Sequence, residues 1–157
     1  MPAAILICVG LPSIDVVYAI AIEPASYQWS TGIVGHQWHW SYHYVDFIID
    51  YDSYRNADTY PGGHNNVEAD AHLVLPATCN QLLLINSADV IHGFAVPSMG
   101  LKVDANPGFI NGLSIIRPMV GCFYGQCSEI CGVNHRLMPI HVEVTRPSLF
   151  KAWTSIK

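Results

Sequence analysis

The sequence has little charge, and most of what it has is negative. Charged residues make up 12% of the 157 residues, with 7 Lys and Arg against 12 Asp and Glu and a net charge of −5. No basic patch or nucleic-acid motif occurs, which argues against the electrostatic binding that DNA- and RNA-binding proteins use. The length is sufficient for one domain with a sizeable core.

A long uninterrupted apolar run is also missing. Pro2 to Ile22 is apolar apart from Asp15, but it has Pro12 in its middle. A membrane-spanning helix needs about 20 predominantly apolar residues, so this segment barely reaches that length. It lacks the basic start and small-residue cleavage site of a secretory signal, and it has no Arg-rich transit character.

The cysteines are too few for a disulfide scaffold. Of the five, Cys127 and Cys131 belong to a metal-binding pattern. Cys8 lies in the apolar segment, where we expect a buried and inert thiol. Cys79 and Cys122 flank predicted strands, and the sequence alone leaves a disulfide between them open but disfavoured.

The C-terminal run from Cys127 to Met138 is the most informative stretch of the chain. It has the spacing C-x3-C-x3-H-x2-M, which places Cys131 and His135 between its ends, and His92 lies upstream. Soft sulfur ligands combined with imidazole select copper or zinc over hard cations. A one-copper electron-transfer site uses one Cys, two His and an axial Met. This chain therefore offers one thiolate more than such a site needs. Two thiolates can bridge two copper ions that share one electron.

A structural zinc site is the alternative reading of the same residues. Two Cys and two His at tetrahedral geometry describe many zinc modules. Met138 favours copper, because a thioether is a poor zinc ligand and a typical axial copper ligand. A methionine three residues after a histidine is also compatible with ordinary core packing. The spacing alone therefore leaves both metals open.

The hydrophobic pattern predicts an all-β domain. From Gly35 onwards Trp38, Trp40, Tyr42 and Tyr44 alternate with polar residues, which indicates a half-buried strand. Many short strands separated by turn residues predict a closed barrel or sandwich. The further predicted strands are His72–Leu75, Gln81–Asn86, Val90–Val96, Leu113–Arg117, Cys122–Tyr124 and Ile140–Val144. The remaining predictions are loops at Glu23–Gly32 and Tyr51–Gly63 and a short helix at Pro147–Ile156.

Three blocks of sequence resemble subunit 2 of cytochrome c oxidase, in that family's order. They are Gly35–Trp40, Val96–Gly108 and Gly125–Gly132, and the resemblance runs from about Leu11 to Glu143. It implies a cupredoxin-like Greek-key barrel over residues 23–146 that holds two copper ions, the centre called copper A. It also implies that cytochrome c donates electrons, which pass to heme in subunit 1 of the oxidase for oxygen reduction. The alternatives are a nitrous-oxide-reductase-like copper A domain and a zinc-stabilised interaction module.

The resemblance also assigns roles to individual residues. Trp38 becomes the residue through which electrons enter, although the alternating pattern alone favours core packing for it. Glu129 gains two roles, because its backbone carbonyl ligates copper and its carboxylate helps to hold a magnesium ion at the boundary with subunit 1. Lys102 and Asp104 face subunit 1. The implied copper A ligands are His92, Cys127, Glu129, Cys131, His135 and Met138.

The N-terminal segment implies a divided subunit. A Leu-Pro-Ser sequence closes the second of the family's two transmembrane helices, and Leu11–Ser13 matches it. We therefore expect residues 1–22 to be the C-terminal part of that helix, residues 147–157 to be a tail, and a separately encoded polypeptide to carry the first half of the subunit. The implied location is the mitochondrial inner membrane, with the domain facing the intermembrane space.

The chain departs from the family at several positions. His39 replaces a common tyrosine and His43 an acid, Phe109 replaces an arginine, and Asp15 stands where arginine is usual. The first two changes leave the details of the docking surface open. The histidines without a partner at ligand spacing are expected to be structural; they are His36, His64, His72 and His141.

Charge is unevenly distributed along the chain. Residues 1–90 hold nine acids and one base, Arg55, whereas residues 91–157 hold three acids and six bases. An acidic surface of this kind either steers a basic partner or only keeps the protein soluble, and charge alone favours the second interpretation.

Overall fold

The computed structural model describes residues 1–21, 26–56 and 67–157, without the side chains of residues 20 and 21. The predictions that fall on residues 22–25 and 57–66, including that for His64, lie outside the described residues. The strands are β1 (Trp29–His36), β2 (His39–Tyr44), β3 (Ile49–Ser53), β4 (Leu73–Pro76), β5 (Asn80–Ser87), β6 (His92–Val96), β7 (Leu101–Ala105), β8 (Asn111–Ile116), β9 (Gly121–Cys127) and β10 (Pro139–Thr145). The helices are α1 (Pro2–Ala21) and α2 (Pro147–Ile156), with 3₁₀ turns at Pro97–Met99 and His135–Leu137.

Two five-stranded sheets form a sandwich, as the all-β prediction requires. One sheet has the order β3-β2-β1-β5-β8 and the other β4-β10-β9-β6-β7. Most neighbours are antiparallel, but β1 pairs with β5, and β4 with β10, in parallel. Inward-facing side chains of both sheets make the core, as in other sandwiches. Its largest fully buried members include Trp40, Tyr42, Tyr44, Phe94 and Phe150.

Helix α1 runs past the Leu-Pro-Ser sequence. It continues through Pro12 and Asp15 to Ala21, so it lies within the residues 1–22 expected to be helical, although Leu11–Ser13 does not end it. Its 20 residues give a length of about 30 Å. Residues Pro2–Ala19 have a mean hydropathy of 1.8 and none is buried, so the helix is long and apolar enough to cross a membrane. Cys8 is exposed on it, contrary to the prediction of a buried thiol.

The predicted strand at Gly35 is in fact a hairpin. Strand β1 ends at His36, a turn contains Gln37 and Trp38 joined by a cis peptide bond, and β2 starts at His39. The buried aromatic face of β2 is confirmed, but Trp38 lies in the turn and is only half-buried.

Two predicted loops contain strands, and one strand was missed altogether. Strand β1 begins at Trp29, inside the predicted loop Glu23–Gly32, and β3 includes Tyr51–Ser53, the start of the second predicted loop. No strand was predicted at β7. The helix predicted at Pro147–Ile156 is confirmed as α2, whose Phe150 packs against Trp29 and Phe47.

Hydroxyl groups of the sheet that contains β2 and β3 join it to the β4 edge of the other sheet. The Tyr44 hydroxyl donates to the Val74 carbonyl at 2.9 Å and accepts from the Val74 N–H at 2.8 Å. The Tyr51 hydroxyl donates to the His72 carbonyl and Ser53 Oγ to the Ala71 carbonyl, both at 2.6 Å. These bonds occupy backbone groups of Val74 on the edge strand β4 and of Ala71 and His72 just before it. The contact therefore closes one side of the sandwich and protects an edge.

We predict that Tyr44→Phe lowers the free energy of unfolding by about 1–3 kcal/mol, because it leaves a buried backbone N–H and C=O unpaired. Tyr42→Phe is the matched control, two residues away on β2, since its buried hydroxyl has no hydrogen-bond partner among the described residues. Urea denaturation of both variants measures the difference. Equal stabilities would show that the Tyr44 contact does not hold the sheets together.

Candidate metal centre

The sulfur and imidazole groups come together because β6 and β9 are paired. His92 is the first residue of β6 and Cys127 the last of β9, and Phe94 lies opposite Cys127 in the ladder. The chain then forms a loop with Cys131, a 3₁₀ turn that starts at His135, and β10. The Cys127 N–H donates to the Met138 carbonyl at 3.1 Å, which closes the loop.

The metal-donor atoms of His92, Cys127, Cys131 and His135 lie in a row. His92 Nδ1 is 3.9 Å from Cys127 Sγ, the two Sγ atoms are 3.9 Å apart, and Cys131 Sγ is 3.6 Å from His135 Nδ1. The ligand atoms of His92, Cys127 and Cys131 all lie within 4.8 Å of one another. Met138 is 1% exposed, at the buried end of the same loop.

These separations fit metal ligation. The sulfur–sulfur distance of 3.9 Å is far longer than the about 2.05 Å of a disulfide. Two sulfurs that share a metal at about 2.3 Å each lie less than about 4.6 Å apart. Each sulfur–nitrogen pair is also short enough for one ion to contact both atoms. The donor set therefore fits the ligation of soft metal ions.

Asp89 determines which nitrogen of His92 is available. Asp89 Oδ1 is 2.8 Å from His92 Nε2, and a carboxylate only accepts hydrogen bonds. The proton therefore sits on Nε2, and the bare Nδ1 faces Cys127. A carboxylate behind a ligating histidine is a recurrent feature of metal sites.

The two thiols cannot both ionise easily without a cation. Burial opposes ionisation of Cys127, but its contacts with His92 and with the backbone at Gly93 and Glu129 lower its pKa to about 6. Burial and the neighbouring Cys127 raise the pKa of Cys131 to about 12. Because metals bind thiolates, binding at neutral pH displaces the Cys131 proton.

The Glu129 carbonyl also points at the sulfur pair. Its oxygen is 3.3 Å from Cys127 Sγ. A carbonyl oxygen and a thiolate repel each other, so this arrangement favours a cation near both. The Glu129 carboxylate is not part of the His92, Cys127 and Cys131 cluster, which is the one group of three such ligands in the described ranges. A magnesium ion at Glu129 would need further ligands from another chain.

Trp38 lies against the ligand loop. Its Nε1–H donates to the Cys131 carbonyl at 3.3 Å, and Gln37 Nε2 donates to the same oxygen at 2.8 Å. Gly132 has φ +121°, and a Cβ there would lie 3.1 Å from Trp38 Cζ2, so glycine is required for this close approach.

The expected subunit 1 contacts lie beside the site. Lys102 and Asp104 are exposed on β7, where Asp104 lies opposite Gly93 of β6. The Gly93 carbonyl accepts from the Ser128 N–H at 2.9 Å, which places Asp104 near the start of the ligand loop.

Sequence reasoning missed the roles of Asp89 and Gln37. The spacing of Asp89, three residues before His92, was a usable signal for a carboxylate–histidine pair. The contact of Gln37 with Cys131 joins residues 94 positions apart, and nothing in the local pattern predicts it.

The chain matches the family described as "Cytochrome C oxidase subunit II, periplasmic domain" over residues 30–145. The chain belongs to this family. It is 45% identical over 156 residues to cytochrome c oxidase subunit 2 of Branchiostoma floridae, covering 98% of this chain and 67% of that one. It has the same identity to the Branchiostoma lanceolatum protein, of which it spans 65%. The chain thus spans about two thirds of the length of these relatives.

Solved structures of oxidase subunit II have the same fold. The periplasmic domain of subunit II of cytochrome oxidase from Bradyrhizobium japonicum superposes with a TM-score of 0.79 at 35% identity, covering 86% of this chain and 96% of that one. A mixed disulfide between a thioredoxin-like protein and a subunit II domain gives a TM-score of 0.75 at 34% identity, over 86% of this chain and 94% of that one. The cupredoxin-like fold expected from the sequence is confirmed.

We predict that the protein binds two copper ions that give a mixed-valent electron-spin resonance signal, and that Cys127→Ser binds at most one and loses this signal. Removal of a bridging thiolate leaves only Cys131 to link the metals. Copper-to-protein stoichiometry and the resonance spectrum measure the change, and Cys79→Ser, a buried cysteine outside the loop, is the control. Two coppers with a shared electron in Cys127→Ser would exclude this ligand assignment.

Proposed function

We propose that this chain is the electron-transfer subunit of a cytochrome c oxidase, with a two-copper centre of the copper A type. The row of donors from His92 Nδ1 through both sulfurs to His135 Nδ1, at steps of 3.9, 3.9 and 3.6 Å, is the observation that carries the proposal. His92, Cys127, Cys131 and His135 would hold the metals, with Met138 and the Glu129 carbonyl as weaker ligands. When bound, copper supplies reversible one-electron chemistry.

The protein contributes a short route from the surface to the sulfurs. The half-exposed Trp38 ring donates to the Cys131 carbonyl, and Cys131 provides one of the two thiolates. Electrons delivered by cytochrome c at Trp38 therefore need to cross only one hydrogen bond and one residue. They leave towards heme in subunit 1, where oxygen is reduced, so the chain is part of an oxidoreductase without containing its oxygen-reducing centre.

The surface around Trp38 suits a basic donor. Asp89 accepts the Gln37 N–H at 2.7 Å, and Asp52 lies 3.9 Å from His39 Nε2. Their charges are within the range of electrostatic steering for a partner that approaches Trp38. The contact with subunit 1 is assigned to Lys102, Asp104 and the Glu129 carboxylate. The Glu129 carboxylate would also help to hold a magnesium ion.

Membrane attachment follows from α1, which has the length and composition of a spanning helix. Animal relatives at 45% identity support a location in the mitochondrial inner membrane, with the sandwich in the intermembrane space. A separately encoded first half of the subunit stays a prediction.

A zinc-stabilised interaction module is the second candidate. The two Cys and two His suit zinc, but the buried Met138 and the carbonyl aimed at Cys127 have no role in a tetrahedral zinc site. A colourless, redox-silent metal in the purified protein would decide for zinc. The family match argues against a nitrous-oxide-reductase-like domain.

We predict that cytochrome c associates more slowly as ionic strength rises, since the Debye length falls from about 10 Å at 0.1 M to about 3 Å at 1 M. Trp38→Phe should slow electron transfer and keep this salt dependence, because Phe has no N–H for the Cys131 carbonyl. Stopped-flow mixing measures both rates.

Trp29→Phe, at the other end of β1, is the matched control and should transfer electrons at the wild-type rate. A salt-independent association rate would exclude electrostatic steering. An unchanged electron-transfer rate in Trp38→Phe would show that Trp38 serves packing and not electron entry.

A further inference from the structure

We propose that Asp89 is a positioning residue that holds the ligand His92 and the turn carrying Trp38 in one fixed arrangement. The proposal rests on the copper centre proposed above, and it concerns a residue that binds no metal itself. Asp89 joins the side on which electrons arrive to the side on which copper is bound.

The first contact of Asp89 is with the ligand. Its Oδ1 lies 2.8 Å from Nε2 of His92, whose side chain is 0% exposed while that of Asp89 is 32% exposed. This bond fixes both the proton and the orientation of the imidazole. It also makes Nδ1 a stronger donor, since a carboxylate partner raises the basicity of a ligating histidine.

The second contact is with the Trp38 turn. Asp89 Oδ2 accepts the backbone N–H of Gln37 at 2.7 Å, so each oxygen of one carboxylate holds a different segment. The carboxylate is itself restrained, because Oδ1 also accepts the Val90 N–H at 2.6 Å. A displacement of the turn is therefore transmitted to His92 through a rigid group.

The opposite side of the turn is attached to the second cysteine. Gln37 Nε2 and Trp38 Nε1 both donate to the Cys131 carbonyl. The turn thus spans the cluster, with Asp89 and His92 on one side and Cys131 on the other. Loss of Asp89 leaves it attached on the Cys131 side alone.

Asp89→Asn keeps the contact with His92 but removes the contact with Gln37, and it hardly changes the volume of the side chain. The Asn carbonyl can still accept from His92, but its amide group cannot accept the Gln37 N–H, and the negative charge is lost. Mutation of such a partner typically weakens metal binding by about 10- to 100-fold. We expect a loss of copper affinity in this range, a raised reduction potential, and slower electron transfer from Trp38.

Two further variants isolate the cause. Asp46→Asn is the matched control, because Asp46 also accepts a backbone N–H, that of Ser30 at 2.7 Å, near the other end of β1. It should leave copper affinity and potential unchanged. Gln37→Glu replaces the side-chain donor to the Cys131 carbonyl with an acceptor but keeps the Asp89–His92 bond, so it should slow electron transfer and lower copper affinity less than Asp89→Asn does.

The measurements are competition with a copper chelator, voltammetry, and stopped-flow reduction at saturating cytochrome c, with thermal unfolding of the metal-free proteins to confirm folding. Failure of the wild-type protein to bind copper would refute the proposed function. If the wild type binds copper normally, an affinity and potential of Asp89→Asn equal to those of Asp46→Asn would overturn only the role of Asp89.

Discussion

The mutual repulsion of two buried thiolates is the constraint on which the rest of the site depends. Cys127 and Cys131 are 6% and 3% exposed, and the sulfur atoms lie 3.9 Å apart. Ionisation of one raises the pKa of the other, and the Glu129 carbonyl adds a further negative dipole. A proton on Cys131 or a bound cation relieves this repulsion. The loop therefore suits a metal, and its ends are fixed by β9 and β10, since catalytic and binding groups are most precisely held on rigid elements.

The strands supply that rigidity through contacts far from the metal. Tyr44 binds Val74 of β4, and Tyr51 and Ser53 bind the two residues just before β4, which closes the sandwich on that side; β4 in turn pairs with β10. Strand β10 begins directly after Met138. The position of the loop therefore depends on hydroxyl groups of the other sheet, although none of them contacts a ligand.

The cluster of His92, Cys127 and Cys131 and the strands of simple pattern were predictable, whereas the tertiary contacts were not. The spacing from Cys127 to Met138 is local and indicates a site for soft metals, although it leaves copper and zinc open. Strand β1 begins inside the loop predicted at Glu23–Gly32; a Cβ at Gly32 would lie 3.3 Å from His43 Cβ on β2, so glycine there serves the strand pairing. Strand β3 was hidden by aspartates that look like turn residues but face polar partners on β2, as Asp52 does with Ser41 at 2.6 Å. Whether such a glycine or aspartate belongs to a strand depends on a neighbour that is distant in sequence.

His39, where the family resemblance predicts a tyrosine, is part of a stack of rings next to Trp38. The His39 ring stacks between His36 and Tyr54, at centroid distances of 4.6 and 4.4 Å, so it fills the place of a flat aromatic ring. Burial, then the neighbouring His36, lower the pKa of His39, which keeps the ring neutral near pH 7. A hydrogen bond from Ser41 is the main cause of a lowered pKa at Asp52, so that acid stays charged. A neutral ring beside an ionised acid preserves the negative charge on which attraction of a basic donor relies, even though histidine has replaced tyrosine.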